Sequence, residues 1–357
     1  MPKRKTILIA GPLPPPAGGI SIHIHRLQHV LKEHYNIILV DESRVQKPGI
    51  FNLFTFRFFT YLSLVKQADL LFIHSGNRFF KKLHILMGRI FRKKILITIH
   101  GYGKKRLSMF RRWDEMIYGL AHQIILVNKE IYQKVQLPPG KCIIRNAFLP
   151  PILDEEKPLT PHVQERIQQA KRDGKIILSN NASRLDTFKG QDLYGLDICL
   201  KAVHNLVKEG IPVDCIFCVS SLSNGKDRFD AAQEYIKTHQ LESNFLLINE
   251  KMSFVQLISQ SDLVLRTTNT DGDSLTIREA LYLKKPVLAS DAVKRPTGTH
   301  LFISRDQEDL NYELKRMVQS IQFGKSDHIL ESRMEQEGDP EFYVRLIEDM
   351  FHYRPDE

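Results

Sequence analysis

The sequence has little cysteine, and the four cysteines among its 357 residues are scattered. So few thiols do not make a disulfide framework, which agrees with a reducing compartment. Cys215 and Cys218 form a Cys-x-x-Cys pair inside an apolar stretch, where residues three apart on a strand point to opposite faces. We therefore expect inert core thiols and not a redox or zinc site.

Long apolar runs are also absent. No stretch approaches the roughly 18 apolar residues that a transmembrane helix needs. The apolar run that follows the basic N-terminus, residues 7–10, is too short for the core of a signal peptide. The sequence predicts a cytoplasmic protein that does not cross a bilayer.

Acidic residues are missing from Arg78 to Arg112, although the net charge of the whole chain is only +10. Such a basic field attracts polyanions or an anionic membrane surface. Residues 51–62, just before it, are unusually aromatic, which favours a core-facing helix or, alternatively, a surface helix that dips into lipid headgroups. The basic run from Arg78 to Arg112 holds twelve basic residues: Arg78, Lys81, Lys82, Arg89, Arg92, Lys93, Lys94, Lys104, Lys105, Arg106, Arg111 and Arg112.

The glycine-rich fingerprint of dinucleotide-binding enzymes, Gly-x-Gly-x-x-Gly, does not occur, which counts against a nicotinamide dehydrogenase. Instead, the strand at residues 5–10 leads through prolines to Gly18 and Gly19, after which helical spacing begins. Two glycines in a strand-to-helix loop allow the backbone to approach a ligand closely. A plain connecting turn is the alternative.

What the sequence does contain is an alternation of short apolar strands with helical segments, typical of doubly wound parallel sheets. With 42% hydrophobic and 26% charged residues, the chain has the composition of a globular protein long enough for two domains. Prolines and charges cluster at residues 150–173, where we place the boundary. We predict a first α/β domain over residues 1–165, a second over 166–335, and a terminal helix in 336–357 that crosses back to the first.

Two histidines end predicted strands of the first domain, where parallel sheets collect their ligands. His74 follows one strand and His100 the next. A histidine at such a position is more often a simple hydrogen-bonding residue than a functional group. His23, on the first helix, is interpreted as a surface or packing residue.

In the second half, a polar turn at residues 270–274 leads into a helix predicted from Leu275 to Leu283, followed by an apolar strand after Pro286. Free N–H groups at that helix N-terminus can receive a phosphate. The residues of this site are Gly272, Asp273 and Ser274 for the phosphate, with Asp271 and Glu279 as acceptors for hydroxyl groups. Ordinary helix capping is the alternative.

Arg184 and Lys189 lie five residues apart in the loop that follows the strand at residues 175–179. Two cations ahead of a helix suit the clamping of a diphosphate. Solvent-exposed loop charges are the alternative, and for a single pair they are the commoner case.

Together these motifs resemble the family 4 retaining glycosyltransferases of the GT-B fold. Asp271 and Glu279 have the spacing of the family's acidic signature, with Asp in place of the first Glu. The loop with Gly18 and Gly19 resembles the segment that faces the donor diphosphate. His100, in Ile-His-Gly, matches the histidine that reaches a hydroxyl of the donor sugar.

The resemblance implies two Rossmann-like domains that face each other across a cleft. Arg184 and Lys189 would be the diphosphate ligands, although Ser183 replaces the usual glycine ahead of Arg184. Because no Asp-x-Asp motif is present, these cations would neutralise the leaving diphosphate without a metal ion, and no cofactor is expected.

The implied reaction is retaining transfer of a sugar from a nucleotide sugar, UDP-linked by family frequency, to a saccharide acceptor. A lipid-linked acceptor in bacterial surface polysaccharide assembly would place the protein at the inner face of the membrane. A nucleotide-sugar epimerase on the same fold is the alternative. A nucleic-acid-binding protein is suggested by charge alone, and the motifs count against it.

Overall fold

The computed structural model describes residues 4–15, 18–101, 108–223, 225–250, 252–324 and 338–352. The chain forms two compact units. The first comprises Met1–Pro150 and Gln336–Glu357, and the second comprises Pro151–Glu335. The division therefore falls at the start of the proline-rich segment, and the end of the chain belongs to the first unit.

The first unit is built on a seven-stranded parallel sheet in the order β3-β2-β1-β4-β5-β6-β7. Its elements are β1 (Thr6–Gly11), α1 (Gly19–Leu31), β2 (Asn36–Asp41), β3 (Phe51–Asn52), α2 (Phe58–Gln67), β4 (Leu70–Ile73), α3 (Arg78–Ile90), β5 (Lys94–Ile99), α4 (Ser108–Tyr118), β6 (Gln123–Leu126), α5 (Lys129–Lys134) and β7 (Cys142–Ile144).

The second unit has a six-stranded parallel sheet in the order β12-β11-β8-β13-β14-β15 and a separate two-stranded hairpin. Its elements are α6 (Pro161–Arg172), β8 (Ile176–Ala182), β9 (Thr187–Phe188), β10 (Gln191–Asp192), α7 (Leu196–Lys208), β11 (Val213–Val219), α8 (Lys226–Thr238), β12 (Phe245–Ile248), α9 (Phe254–Gln260), β13 (Leu263–Arg266), α10 (Leu275–Tyr282), β14 (Val287–Ser290), β15 (His300–Phe302) and α11 (Gln307–Gln322). The last helix, α12 (Glu341–His352), returns to the first unit.

Both sheets are covered on both faces, which explains why their strands are apolar without alternation. In β1, Leu8 belongs to one core cluster and Ile9 to another. In β8, Leu178 and Ile177 likewise belong to two different clusters. The predicted α/β class with two doubly wound parallel sheets is confirmed.

Strand order reverses direction once in each sheet, between β1 and β4 in the first unit and between β8 and β13 in the second. At such a point the connections leave to opposite sides, so a crevice opens at the carboxyl ends of the two strands. Each unit therefore has one place where its topology favours a ligand.

The aromatic stretch at residues 51–62 differs from the core-facing helix that we favoured for it. It consists of β3, a 3₁₀ turn at Leu53–Thr55 and the start of α2. The side chains of Phe56 and Phe59 are 88% and 86% exposed. Phe56 has a left-handed backbone (φ 54°) that ends the turn, so no continuous helical face forms to bury these rings.

Two simpler expectations hold for the part of the chain that the structure describes. None of its helices combines the length and the apolar character needed to span a membrane. Cys215 and Cys218 are buried free thiols on β11, and burial raises the pKa of both. They are core residues.

Candidate functional site

In the second unit, the reversal point is marked by two polar residues at the ends of neighbouring strands. Arg266 ends β13, and its Nη1 donates to the Oδ1 of Asn181, near the end of β8, at 3.1 Å. The Arg266 guanidinium also lies over the ring of Tyr194, 5.3 Å from its centroid. Charged and amide groups at this edge of an apolar sheet define the candidate site.

Asp271 is held in place by two arginines at this edge. Its Oδ2 accepts from Nε of Arg266 and from Nη1 of Arg295, each at 2.9 Å, and its Oδ1 accepts from the backbone N–H of Gly272 at 2.9 Å. Nη2 of Arg266 adds a fourth contact at 3.2 Å to Oδ1. A carboxylate has about four lone-pair sites, so the protein itself occupies most of this acceptor's capacity.

The charge of Asp271 is fixed by the same contacts. Burial by itself would raise the pKa of this carboxyl group, but the charges and hydrogen bonds of Arg266 and Arg295 outweigh it and hold the pKa below its ordinary value. The Arg295 side chain is 2% exposed and also donates to the backbone oxygen of Ser290 at 3.0 Å. Asp271 therefore organises the end of β13 and β14, a role that its spacing to Glu279 alone did not reveal.

The sequence did not reveal that Arg266 and Arg295 are the partners of Asp271. A signal for Arg266 was present, because it is the one charged residue in the strand Leu263–Arg266 and stands at its carboxyl end. Arg295 gave no such signal, since it lies in an irregular segment 24 residues beyond Asp271.

Helix α10 begins at Leu275, as the sequence predicted, and its first residue lies close to this network. Ser274 is the residue that precedes the helix, its side chain makes no capping hydrogen bond, and its Oγ is buried without a partner among the described residues. Asp273 accepts from Nε of Arg278 at 2.7 Å, and Glu279 is buried in the helix. Because the first N–H groups of a helix lack intrahelical partners, this N-terminus favours an anion.

Arg184 and Lys189 are both exposed, in the segment that leaves β8. Nε of Arg184 donates to the carboxylate of Asp186. Lys189 occupies the tip of the β9–β10 hairpin, with φ 51° followed by φ 77° at Gly190, and its ammonium lies 5.5 Å from the centroid of the Phe188 ring. The sequence did not predict this hairpin. Whether the two cations bind a diphosphate stays a prediction.

The hairpin is tied to the site by Gly195. Its φ is +67°, and a Cβ atom at this position would lie 2.1 Å from the backbone oxygen of Thr267. Oγ1 of Thr267 donates to the backbone oxygen of Tyr194 at 2.8 Å. Only glycine allows the segment between β10 and α7 to pack directly against the end of β13.

The reversal point of the first unit brings three histidines together. His74 follows β4, His100 follows β5, and His23 lies on α1. Nδ1 of His74 and Nε2 of His100 are 3.2 Å apart, and the ring centroids of the three residues are 5.0 to 5.5 Å apart. His23 is buried and is a member of this cluster, not of the helix surface.

Burial lowers the pKa of all three histidines, that of His23 to about 4 and those of His74 and His100 well below the usual value. All three imidazoles are therefore neutral at neutral pH. The nearby Lys81 is also buried, and burial lowers its pKa to about 8 against the opposing effect of Glu42 and Asp114.

The predicted glycine pair lies beside this cluster, at the start of α1. The N–H of Gly18 donates to Oγ of Ser21 at 2.8 Å. A Cβ atom at Gly19 would meet no described atom within 4 Å. Described atoms therefore leave room beside this backbone, which is compatible with close approach of a ligand; a contact with a diphosphate stays a prediction.

The structure resembles several solved glycosyltransferase structures over nearly its whole length. A glycosyltransferase from Rickettsia africae is 15% identical, with 98% of this chain and 100% of that chain covered and a TM-score of 0.68. HepE from Anabaena in complex with UDP is 15% identical over 97% and 99% of the two chains, with a TM-score of 0.67. Sucrose-phosphate synthase from Thermosynechococcus elongatus is 13% identical over 98% and 99%, with a TM-score of 0.61.

Neither the protein-family models nor the curated protein sequences yielded a match. Identities this low establish the fold and leave the activity to be inferred from the site. The two Rossmann-like units define the protein as one of the GT-B fold class.

Proposed function

We propose that the protein is a retaining glycosyltransferase that uses a nucleotide sugar as donor. The observation that carries the proposal is the N-terminus of α10, which begins at Leu275, directly after the turn that contains Asp271 and Gly272. An anionic group seated there would accept hydrogen bonds from the free N–H groups of the helix. The site lies at the reversal point of a GT-B sheet, and structures of HepE with that fold contain UDP and UDP-glucose.

Two exposed cations are available to neutralise the leaving diphosphate. Arg184 and Lys189 stand on the segment between β8 and α7, and neither side chain is buried. Removing one such group from a preorganised site lowers turnover by on the order of a hundredfold. Transfer should then proceed without added Mg²⁺ or Mn²⁺, because fixed side-chain charges do the work of the divalent ion.

The two acidic residues take different parts. Glu279, one turn inside α10, would accept from the ribose hydroxyls of the nucleotide. Asp271 holds Arg266 and Arg295 in place and thereby shapes the floor of the site. The shorter side chain at position 271 is consistent with this division, since its carboxylate reaches the arginines of its own sheet.

The first unit offers a surface for a lipid-linked acceptor. The aromatic surface, which we define as Phe54, Phe56, Phe58, Phe59 and Phe79, consists of exposed rings. Aromatic side chains partition into the headgroup region, and neighbouring basic residues add attraction to anionic lipid. We infer that this surface holds the protein on the inner face of a bacterial membrane, where a lipid-diphosphate-linked saccharide would be glycosylated.

The basic run contributes less to that surface than its sequence implies. Lys81 is buried, and Lys82 pairs with Asp114 at 3.0 Å. Arg111 pairs with Glu115 at 3.3 Å. Lys104, Lys105 and Arg106 lie outside the described residues. The exposed aromatic rings therefore share the proposed membrane affinity with the basic residues that stay exposed, among them Arg89, Arg92 and Arg112.

The decisive experiment offers the purified protein a panel of nucleotide sugars and follows both hydrolysis and transfer by mass spectrometry. Transfer to a saccharide acceptor with the anomeric configuration of the donor retained supports the proposal. Conversion of the donor to an epimer without any acceptor would establish the epimerase instead.

Calorimetric titration with UDP tests the site itself. Glu279→Gln should weaken UDP binding by about tenfold, the value of one hydrogen bond to a charged group. Ser259→Ala, which removes a hydroxyl from the end of α9, is the control. UDP affinities that are equal in the wild type and both variants would place the nucleotide elsewhere.

A further inference from the structure

The three-histidine cluster of the first unit brings imidazole nitrogens close enough to share one ion. One nitrogen from each of His23, His74 and His100 can be chosen so that all three lie within 4.8 Å of one another. The residues come from α1 and from the ends of two neighbouring strands, so the sheet itself fixes their separation. The cluster is the one group of three such ligands among the described residues.

Two of these nitrogens are sealed from solvent and have no hydrogen-bond partner among the described residues, namely Nε2 of His23 and Nε2 of His74. A buried polar atom without a partner is costly, so a native structure usually supplies one. Because both atoms are sealed, the missing partner is smaller than a sugar. A metal ion or a buried water molecule fits that description.

The tautomer of His23 favours the metal ion. Nδ1 of His23 lies 2.6 Å from the backbone oxygen of Ala147, so this nitrogen carries the proton and donates it. The lone pair is then on Nε2, the sealed atom. Histidine ligands of metal ions commonly have this arrangement, in which the far nitrogen is anchored on a carbonyl oxygen.

Each neutral imidazole of the cluster has one nitrogen lone pair, although that of one ring is engaged in the contact between Nδ1 of His74 and Nε2 of His100. Burial lowers the pKa of each imidazole, so no proton has to be displaced at neutral pH. Lys81 and Arg26 are positive groups near the cluster and oppose a cation. With a pKa of about 8, Lys81 is still largely protonated at neutral pH, but the carboxylates of Glu42 and Asp114 nearby offset part of its positive charge.

We propose that His23, His74 and His100 bind one transition-metal ion of the Zn²⁺ class. Three nitrogen ligands suit Zn²⁺ and leave one position of a tetrahedral ion for water, whereas Mg²⁺ and Ca²⁺ require oxygen ligands. The ion joins α1 to the ends of β4 and β5. It also lies next to α12, because the ring centroids of His23 and Tyr343 are 5.7 Å apart. A bound ion would replace the contact of His100 with the donor sugar that the resemblance implies, and it would leave the site at α10 of the second unit unchanged.

The test is titration of the metal-free full-length protein with Co²⁺, whose visible absorption is intense in a four-coordinate site and weak in a six-coordinate one. We expect intense bands that saturate at one equivalent, disappear on addition of Zn²⁺, and lack sulfur-to-cobalt charge transfer. Zn²⁺ should also raise the thermal unfolding temperature.

Two ligand variants and two controls accompany the titration. His23→Gln and His74→Gln should weaken Co²⁺ binding by at least the ten- to hundredfold that outer-shell groups are worth, and should abolish the thermal shift. His84→Gln is a control for loss of a buried histidine, because His84 contacts Glu42 and Tyr61 instead. His239→Gln is a control for adventitious binding at the His204–His239 pair, whose rings are 4.6 Å apart and of which His239 is exposed.

Circular dichroism shows whether each variant is folded. One folded ligand variant and one folded control are enough to decide the test. Weak bands in the wild type, or intense bands that persist in His23→Gln and His74→Gln, would overturn the proposal. Loss of the bands in His239→Gln alone would assign the ion to the surface pair and overturn it as well. A wild type that binds no Co²⁺ would leave a buried water molecule as the partner of the two sealed nitrogens.

Discussion

At the scale of single residues, Asp271 keeps the spacing of the acidic motif but forms ion pairs with two arginines of its own unit. The sequence places a carboxylate eight residues before Glu279, and the structure attaches that carboxylate to two nearly buried arginines. Removing one partner from a buried ion pair leaves the other charge uncompensated, which is far more costly than the loss of a surface pair.

We therefore predict that Asp271→Asn lowers the free energy of unfolding by about 3 kcal/mol. Asp230→Asn is the matched control, because Asp230 pairs with Lys226 on the exposed face of α8. The control should cost less than about 1 kcal/mol. Urea unfolding measures both. Equal losses in the two variants would show that the buried pair contributes no more than a surface pair.

The ion pairs of Asp271 also predict how the stability of the protein depends on pH. Since the folded-state pKa of Asp271 is depressed, its stabilisation is fully present above the unfolded-state pKa, near 4, and is lost as the pH falls through the folded-state value. The difference in unfolding free energy between wild type and Asp271→Asn should thus be constant from pH 5 to 7 and shrink below about pH 4. Unfolding curves across that range test this.

Lys189 provides the sharpest test of catalysis at this scale. Lys189→Ala should lower kcat by about a hundredfold, because a fixed positive charge opposite the leaving diphosphate is lost. Lys201→Ala, which removes an exposed lysine from α7, should leave kcat unchanged. Full turnover in Lys189→Ala would remove this residue from the proposed mechanism.

At the scale of elements, the strands and main helices followed from the sequence, but the connections that shape the site did not. Strands such as Val213–Val219 are buried along their whole length, so an uninterrupted apolar run identifies them. The β9–β10 hairpin has strands of two residues with mostly exposed side chains, so no periodicity marks it. Helix α10 was predicted because Ser274 and Pro286 bracket it.

The other features of the site that the sequence did not predict are contacts between segments that are distant along the chain. The partnership of Asp271 with Arg295 and the approach of Gly195 to Thr267 depend on the packing of strand ends. Local propensity contains no information about such approaches. The clustering of His23 with His74 and His100 is of the same kind, since it follows from sheet order and not from spacing along the chain.

Substitution of Gly195 measures the energetic importance of the close approach between Gly195 and Thr267. Gly195→Ala must adopt a left-handed backbone and also place a methyl group against the Thr267 carbonyl. Gly210→Ala, with φ +72° and no described atom within 4 Å, has the backbone strain alone. We expect Gly195→Ala to lower the free energy of unfolding by about 2 kcal/mol more than Gly210→Ala, the cost of overpacking. Equal losses would mean that the loop adapts without strain.

At the scale of the whole molecule, the aromatic surface predicts where the protein resides. Phe56→Ser together with Phe59→Ser should weaken cosedimentation with anionic vesicles by at least tenfold, since each ring that enters the interface contributes on the order of 1–2 kcal/mol. Phe323→Ser is the control, because Phe323 is 69% exposed but lies in the second unit.

Salt separates the two components of this affinity. Raising the ionic strength should weaken binding only in part, because screening acts on the basic residues and not on the rings. Failure of the wild type to bind anionic vesicles at low salt would contradict the membrane assignment, and so would equal binding of all variants.

The return of α12 to the first unit also has a consequence for how the protein is made. Tyr343, Val344 and Ile347 of this helix are buried in the same core cluster as Ile7, Leu27 and Phe72. Arg145 secures the entry to the helix by donating to the backbone oxygen of Asp339 at 3.1 Å. On the ribosome, the second unit is synthesised in full before this helix emerges. The unit that begins first is therefore the last to complete its core.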